Sequence, residues 1–213
     1  ALGSGKEDKV DAACAEVRPK DCCDLIFTSG TTGFPKAVMI SHDAINYQIR
    51  SMIHIMSEFL PMDQEHRYVS YLPLSHIAGS LTDIFLPLEI TAVSGKGAIG
   101  TFARPYDLKV GSLVDRLKLA RPTIFLGVPR VWEKIMEKLL AVGRKTKGLK
   151  KKLSTWCKGK ALEYATDRQI GGDGKKPSGL GVANKVLGLI KKKLGLDKCL
   201  AGFTGAAPMR KEV

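Results

Sequence analysis

Two short apolar runs, Leu25-Ile26-Phe27 and Val38-Met39-Ile40, bracket the segment Ser29-Gly30-Thr31-Thr32-Gly33-Phe34-Pro35-Lys36. Each run has the length of a strand. A tight hairpin uses about two to five loop residues, so these eight need a reason. Thr28, Ser29, Thr31 and Thr32 supply four hydroxyls. Gly30 and Gly33 let the backbone turn and bring its N–H groups close to a ligand. Lys36 adds a positive charge. Amides, hydroxyls and a lysine converging on one bend make an anion cradle, and phosphate groups are its natural occupants. The Walker A loop does not fit. It needs Gly-Lys-Ser/Thr before a helix, whereas Pro35-Lys36-Ala37 stands here and a strand-like run follows.

The rest of the chain alternates between two periodicities. Ser41 predicts a helix N-cap, with Asp43 in the first turn. Ile45, Ile49, Met52, Ile53, Met56, Phe59 and Leu60 then form one helical face, which Pro61 stops. Tyr68 to Leu72 reads as a buried strand. Ser75 predicts the next cap, before a face of Ile77, Leu81, Ile84, Phe85 and Leu88. Ser94 to Gly100 reads as a glycine-rich loop, and Asp107 opens a helix carrying Leu113, Leu117 and Ala120. Thr123 to Leu126 is the next strand, and Pro129 sits where a helix accepts proline. Trp132, Ile135, Met136, Leu139 and Leu140 repeat at helical spacing, so Trp132 reads as core or pocket lining. A basic helix over 149–166, an exposed loop around Gly171–Gly174, a helix through Ala183–Leu194 and a strand over Cys199–Phe203 complete the pattern. Strands alternating with helices predict α/β architecture with a mainly parallel sheet flanked by helices.

The chain has 213 residues, enough for one domain with a sizeable core. Residues 1–20 read as a polar lead-in and 21–213 as the folded domain. The opening is no signal peptide, and with Ala1 first the chain reads as an internal piece of a longer protein. No stretch approaches 18 apolar residues, so no membrane-crossing helix is expected. Cys14, Cys22, Cys23, Cys157 and Cys199 match no zinc or redox spacing and read as free thiols of a reducing, cytoplasmic setting. No metal ligand is assigned. The net charge of +13 is unevenly spread: Lys134 to Lys160 holds ten Lys or Arg against Glu137. Such a cluster is either a solvated helix face or an attractor of anionic surfaces. Nucleic acid is not expected, because no aromatic platform is interleaved with the basic residues.

Thr28-Ser29-Gly30-Thr31-Thr32-Gly33-Phe34-Pro35-Lys36 resembles the signature phosphate loop of the adenylate-forming superfamily, which includes acyl-CoA synthetases, luciferases and peptide-synthetase adenylation domains. Tyr71-Leu72-Pro73-Leu74-Ser75-His76 is similar to its histidine motif, and Thr204-Gly205-Ala206-Ala207-Pro208 to its adenine-side segment. Gly127-Val128-Pro129-Arg130-Val131-Trp132-Glu133-Lys134-Ile135 resembles long-chain acyl-CoA synthetases. With Cys22-Cys23, it resembles their bubblegum subgroup most. Ala37 departs from the Gly that many members carry there.

The resemblance implies part of the large N-terminal domain of the acetyl-CoA synthetase-like fold, and two half-reactions. A fatty acid carboxylate attacks the α-phosphate of ATP and releases pyrophosphate. The thiol of coenzyme A then attacks the acyl-adenylate and releases AMP. Donors, lysine and Mg2+ would spread the phosphate charge. By the same resemblance, Thr28, Ser29, Gly30, Thr31, Thr32, Gly33 and Lys36 would hold the β- and γ-phosphates. His76 would stand near the acyl-adenylate, though it also reads as a satisfied histidine at a helix start. Gly205, Ala206, Ala207 and Pro208 would pack on adenine. Three family features have no match here: the tyrosine-glycine segment with a magnesium-binding acid, the ribose-binding aspartate, and the lysine of the C-terminal lid. The expectation is an incomplete ligase domain with little activity by itself. The alternative is a non-catalytic basic fragment that binds nucleotide or an anionic membrane surface.

Overall fold

The structure, a computed structural model, describes residues 6–28, 33–58, 60–169, 171–205 and 207–209. They divide into two compact units, Ala1–Glu65 with Ser70–Ala98, and His66–Val69 with Ile99–Val213.

In the first unit, the expected polar lead-in contains a helix, α1 (Glu7–Glu16), that buries none of its residues. Strands β1 (Cys22–Thr28) and β2 (Lys36–Ser41) pair antiparallel, with an irregularity between Cys22 and Asp24. Ser41 caps α2 (His42–Ser57) as its residue type predicts, its hydroxyl accepting from the Ala44 N–H at 3.2 Å. Helix α2 buries Ile45, Ile49 and Met56 and packs on the helical run that follows, but it ends at Ser57, short of the expected Leu60, which is buried outside the helix; Phe59 lies outside the described residues. That run is continuous: α3 (Ile77–Ser80), a π turn (Leu81–Phe85) and α4 (Leu86–Ser94). Its 18 residues reach a mean hydropathy of 1.3, so by length and composition it could cross a membrane, contrary to expectation. It carries Asp83 and Glu89, and Gly79, Ser80, Leu86, Pro87 and Ile90 are its buried residues.

In the second unit, β3 (His66–Ser70), which continues into the first unit at Ser70, pairs with β4 (Ala98–Phe102). The expected loop at Ser94–Gly100 is therefore partly strand. Gly100 is what lets it approach, because a Cβ there would lie 2.6 Å from the Tyr68 hydroxyl. The helix expected from Asp107 is two, α5 (Asp107–Val110) and α6 (Leu113–Ala120), broken where Gly111 takes φ 75°. Strand β5 (Ile124–Leu126) runs parallel to β6 (Ala201–Phe203). Between them come α7 (Pro129–Lys145), with Pro129 in its first turn as predicted, α8 (Gly148–Gln169) and α9 (Leu180–Leu194). Helix α9 packs on both α8 and α6. Phe125 and Leu117 are fully buried.

The α/β class stands. Among the described residues the strands pair two by two: β5–β6 is parallel, as expected for most of the sheet, whereas β1–β2 is an antiparallel hairpin.

Candidate nucleotide site

The β1–β2 ladder closes on Thr28 opposite Lys36, and the Thr28 Oγ1 donates to the Lys36 carbonyl at 3.3 Å. This fastens the two ends of the intervening loop. Gly33 takes φ 101°, a conformation other residues rarely adopt, and a Cβ there would meet no atom within 4 Å. The glycine therefore serves the turn and not a tight protein contact. Lys36 is exposed beside it. Ser29, Gly30, Thr31 and Thr32 lie outside the described residues. A left-handed glycine and an exposed lysine thus stand at the end of the ribbon that Thr28 ties, and a backbone turn with a nearby cation is chemistry that suits a polyphosphate.

His76 stands in the same unit on a turn held at several points. Its own N–H donates to the Pro73 carbonyl at 3.0 Å. Its Nδ1 accepts from the Ala78 N–H at 3.1 Å, so His76, and not the expected Ser75, is the cap of α3. A ring nitrogen that accepts carries no proton, so the neutral imidazole holds its proton on Nε2. The exposed ring is then a hydrogen-bond donor at Nε2, suited to a ligand oxygen. The two readings of His76 are thus compatible: one nitrogen caps, the other is free to donate.

Two residues that fix this turn escaped the sequence reading. Ser80 donates its hydroxyl to the Leu74 carbonyl at 2.6 Å. Gly79 is buried where a Cβ would sit 2.4 Å from the Pro73 carbonyl oxygen. The available signal was a glycine within an apolar helical repeat. Asp83, on the π turn, accepts from the Thr82 hydroxyl at 2.9 Å, and burial holds its carboxyl above the ordinary range against the lowering pull of Ser70 and Thr82.

In the second unit, Trp132 is half-buried, as its helical spacing suggests. Its Nε1–H donates to the Phe203 carbonyl at 3.2 Å, and its ring meets Phe125 edge-on at 5.3 Å. This secures the end of β6, from which Thr204 to Pro208 emerge. Gly205 is half-buried, and a Cβ there would meet nothing within 4 Å, which leaves room for a flat ligand. Ala207 and Pro208 are exposed, and Ala206 lies outside the described residues. Also in this unit, Asp107 is fully buried. The Arg104 guanidinium, against the opposing effect of burial and with help from the Ser112 hydroxyl, holds its carboxylate well below the usual range. Arg116 completes the cage at 3.0 Å.

No group of three His, Cys, Asp or Glu able to hold a metal is present among the described residues, so none is assigned a metal ion.

The β1–β2 hairpin and the histidine that caps α3 lie in the first unit, and the exit of β6 in the second. The chain belongs to the AMP-binding enzyme family, whose pattern it matches over residues 2–213. It is 43% identical over 207 residues to the long-chain-fatty-acid–CoA ligase ACSBG2 of Xenopus laevis, a match covering 97% of this chain and 27% of that protein. It is 38% identical over 217 residues to the long-chain-fatty-acid–CoA ligase heimdall of Drosophila melanogaster, covering 100% of this chain and 30% of that protein. The chain thus spans under a third of the length of these curated relatives. Among solved structures, a fatty acyl-adenylate ligase from L. pneumophila, in complex with acyl adenylate and pyrophosphate, matches with a TM-score of 0.50. That match has 18% identity and covers 92% of this chain and 25% of that one, a likeness of fold.

Proposed function

We propose that this chain is the phosphate-gripping part of an ATP-dependent long-chain fatty acid–CoA ligase. The observation that carries the reading is the match of nearly the whole chain to long-chain-fatty-acid–CoA ligases, with the fastened Thr28–Lys36 hairpin at its centre. ATP, a long-chain fatty acid and coenzyme A are the substrates. Lys36, Thr28 and the Ser29–Gly33 loop hold the β- and γ-phosphates, so that negative charge building on the leaving pyrophosphate meets fixed donors. Mg2+ bound with the nucleotide would further neutralise the phosphate charge; among the described residues none is assigned as its ligand. The fatty acid carboxylate oxygen bonds to the α-phosphorus as the bond to pyrophosphate breaks. The Nε2–H of His76 donates to an oxygen of the acyl-adenylate. Gly205 to Pro208 receive the adenine. The coenzyme A sulfur then bonds to the acyl carbon, and AMP leaves. Five free thiols support a reducing, cytoplasmic compartment.

The test is ATP-dependent AMP release and thioester formation with a long-chain fatty acid and coenzyme A, using the full-length gene product. Lys36→Ala is expected to slow turnover by about 100-fold or more, with folding unchanged by circular dichroism. Full AMP release by Lys36→Ala, or no thioester with any fatty acid while ATP still binds, would overturn the reading.

A further inference from the structure

We infer that the corner joining α7 to α8 is a docking surface for anionic phospholipid. From Lys138 to Leu162 the sequence contains no Asp or Glu, while Arg144, Lys145, Lys147, Lys150, Lys151 and Lys152 crowd its middle. Among the described residues no ion pair joins Arg144, Lys145, Lys147, Lys150, Lys151 or Lys152, and the pair on α8 joins Lys160 to Glu163, further along the helix. The whole segment from Gly148 to Leu153 is exposed, so the first turn of α8 stands clear of the face that packs on α9 around buried Cys157.

Charge alone would fit any polyanion; the apolar residues in the corner decide between them. Val142, Leu149 and Leu153 are 65%, 84% and 46% exposed. Leu149, Leu153 and Trp156 follow one another at helical spacing of four and three residues, so they form one stripe. Trp156 is partly exposed, its ring lying against Gly179, where a Cβ would come within 2.6 Å. Aliphatic side chains and a tryptophan set among lysines suit the boundary between headgroups and acyl chains. A nucleic acid offers no apolar phase for Leu149 or Val142 to enter. The lysines meet the negative surface potential, which falls off within about 8 Å at physiological salt, and the leucines insert. This inference is independent of the ligase reading, since it concerns neither the hairpin nor His76.

The test is co-sedimentation of the chain with vesicles of phosphatidylcholine alone and of phosphatidylcholine with 30% phosphatidylserine, at about 150 mM salt. Binding is expected only to the serine-containing vesicles, with release near 1 M salt, where screening falls to about 3 Å. Each lysine near the surface contributes about fivefold. K150E/K151E/K152E, which removes three cations and adds three anions, is therefore expected to weaken partitioning by at least about 100-fold. L149S/L153S keeps every charge and is expected to weaken it about tenfold, with helicity unchanged by circular dichroism. The wild-type comparison of the two lipid compositions needs no variant, so the inference is tested even if a variant fails to fold. Equal binding to both compositions, absence of binding, or binding unaffected by the charge reversal overturns it. So does release by a DNA oligonucleotide at matched phosphate concentration, which would make the corner a nucleic-acid surface.

Discussion

Replacing Gly79 by Ala should destabilise this protein, although alanine is the better helix former. In an open helical position, Gly→Ala gains about 0.8–1 kcal/mol. At position 79 the added Cβ would lie 2.4 Å from the Pro73 carbonyl oxygen and 3.0 Å from its carbon. Both are backbone atoms, so relief requires moving the Pro73–His76 turn and not merely swinging a side chain. That turn is held by the His76 N–H on the Pro73 carbonyl and the Ser80 hydroxyl on the Leu74 carbonyl. Forcing a methyl group into such a site costs about 1–3 kcal/mol. With an overlap this deep against backbone, the upper end applies, and the net loss is about 2 kcal/mol after the propensity gain. Urea unfolding of Gly79→Ala should show a lower midpoint at unchanged slope, a roughly 30-fold smaller folded-to-unfolded ratio. The control is Gly188→Ala in α9, where a Cβ meets nothing within 4 Å; it should gain about 0.5–1 kcal/mol. A second readout is the 15N shift pattern of His76. The wild type should show the proton on Nε2, and Gly79→Ala a mixture of tautomers as the Ala78 bond loosens. If Gly79→Ala stabilises as much as Gly188→Ala and leaves the His76 tautomer unchanged, the reasoning about this turn is wrong.

Three further outcomes are expected. Trp132→Phe should cost about 1 kcal/mol in thermal or urea unfolding, because the bond to the Phe203 carbonyl is lost while most of the ring is kept; no change would mean that this bond contributes nothing. Asp107, whose folded carboxyl lies below the ordinary value of 3.8, contributes stability that is complete above that value and lost as the pH falls through it toward the folded value. Asp107→Asn should therefore narrow its deficit relative to wild type as the pH drops below about 4, and a deficit independent of pH would refute the role of the charge. Asp83 has the opposite sign: burial raises its folded value, so its ionised form weakens the fold as the pH rises above 3.8. Asp83→Asn should be more favourable relative to wild type at pH 7 than at pH 4 in urea unfolding, and the reverse order would contradict the burial argument.

What the sequence determined by itself was short in range. Ser41 caps α2 by reaching the Ala44 N–H three residues on, and Pro129 opens α7 because its fixed dihedral suits a first turn. The ends of the phosphate hairpin were legible because apolar alternation and a Ser/Thr/Gly segment lie side by side, and the motif residues carried the family. The tertiary structure decided what depends on distant partners. Residues Ala98–Phe102 become a strand because β3 offers them a ladder, which a glycine-rich composition does not announce. The cap of α3 moved from Ser75 to His76 because the chain folds back on Pro73, where only a glycine at 79 leaves room. Asp107, read as a helix-opening residue, is a buried carboxylate caged by Arg104, Ser112 and Arg116. Caps and turns are settled by atoms within a few residues. Ladders, close backbone approaches and buried charges are settled by atoms that meet only after the chain has folded, and no periodicity in the sequence encodes where those meetings occur.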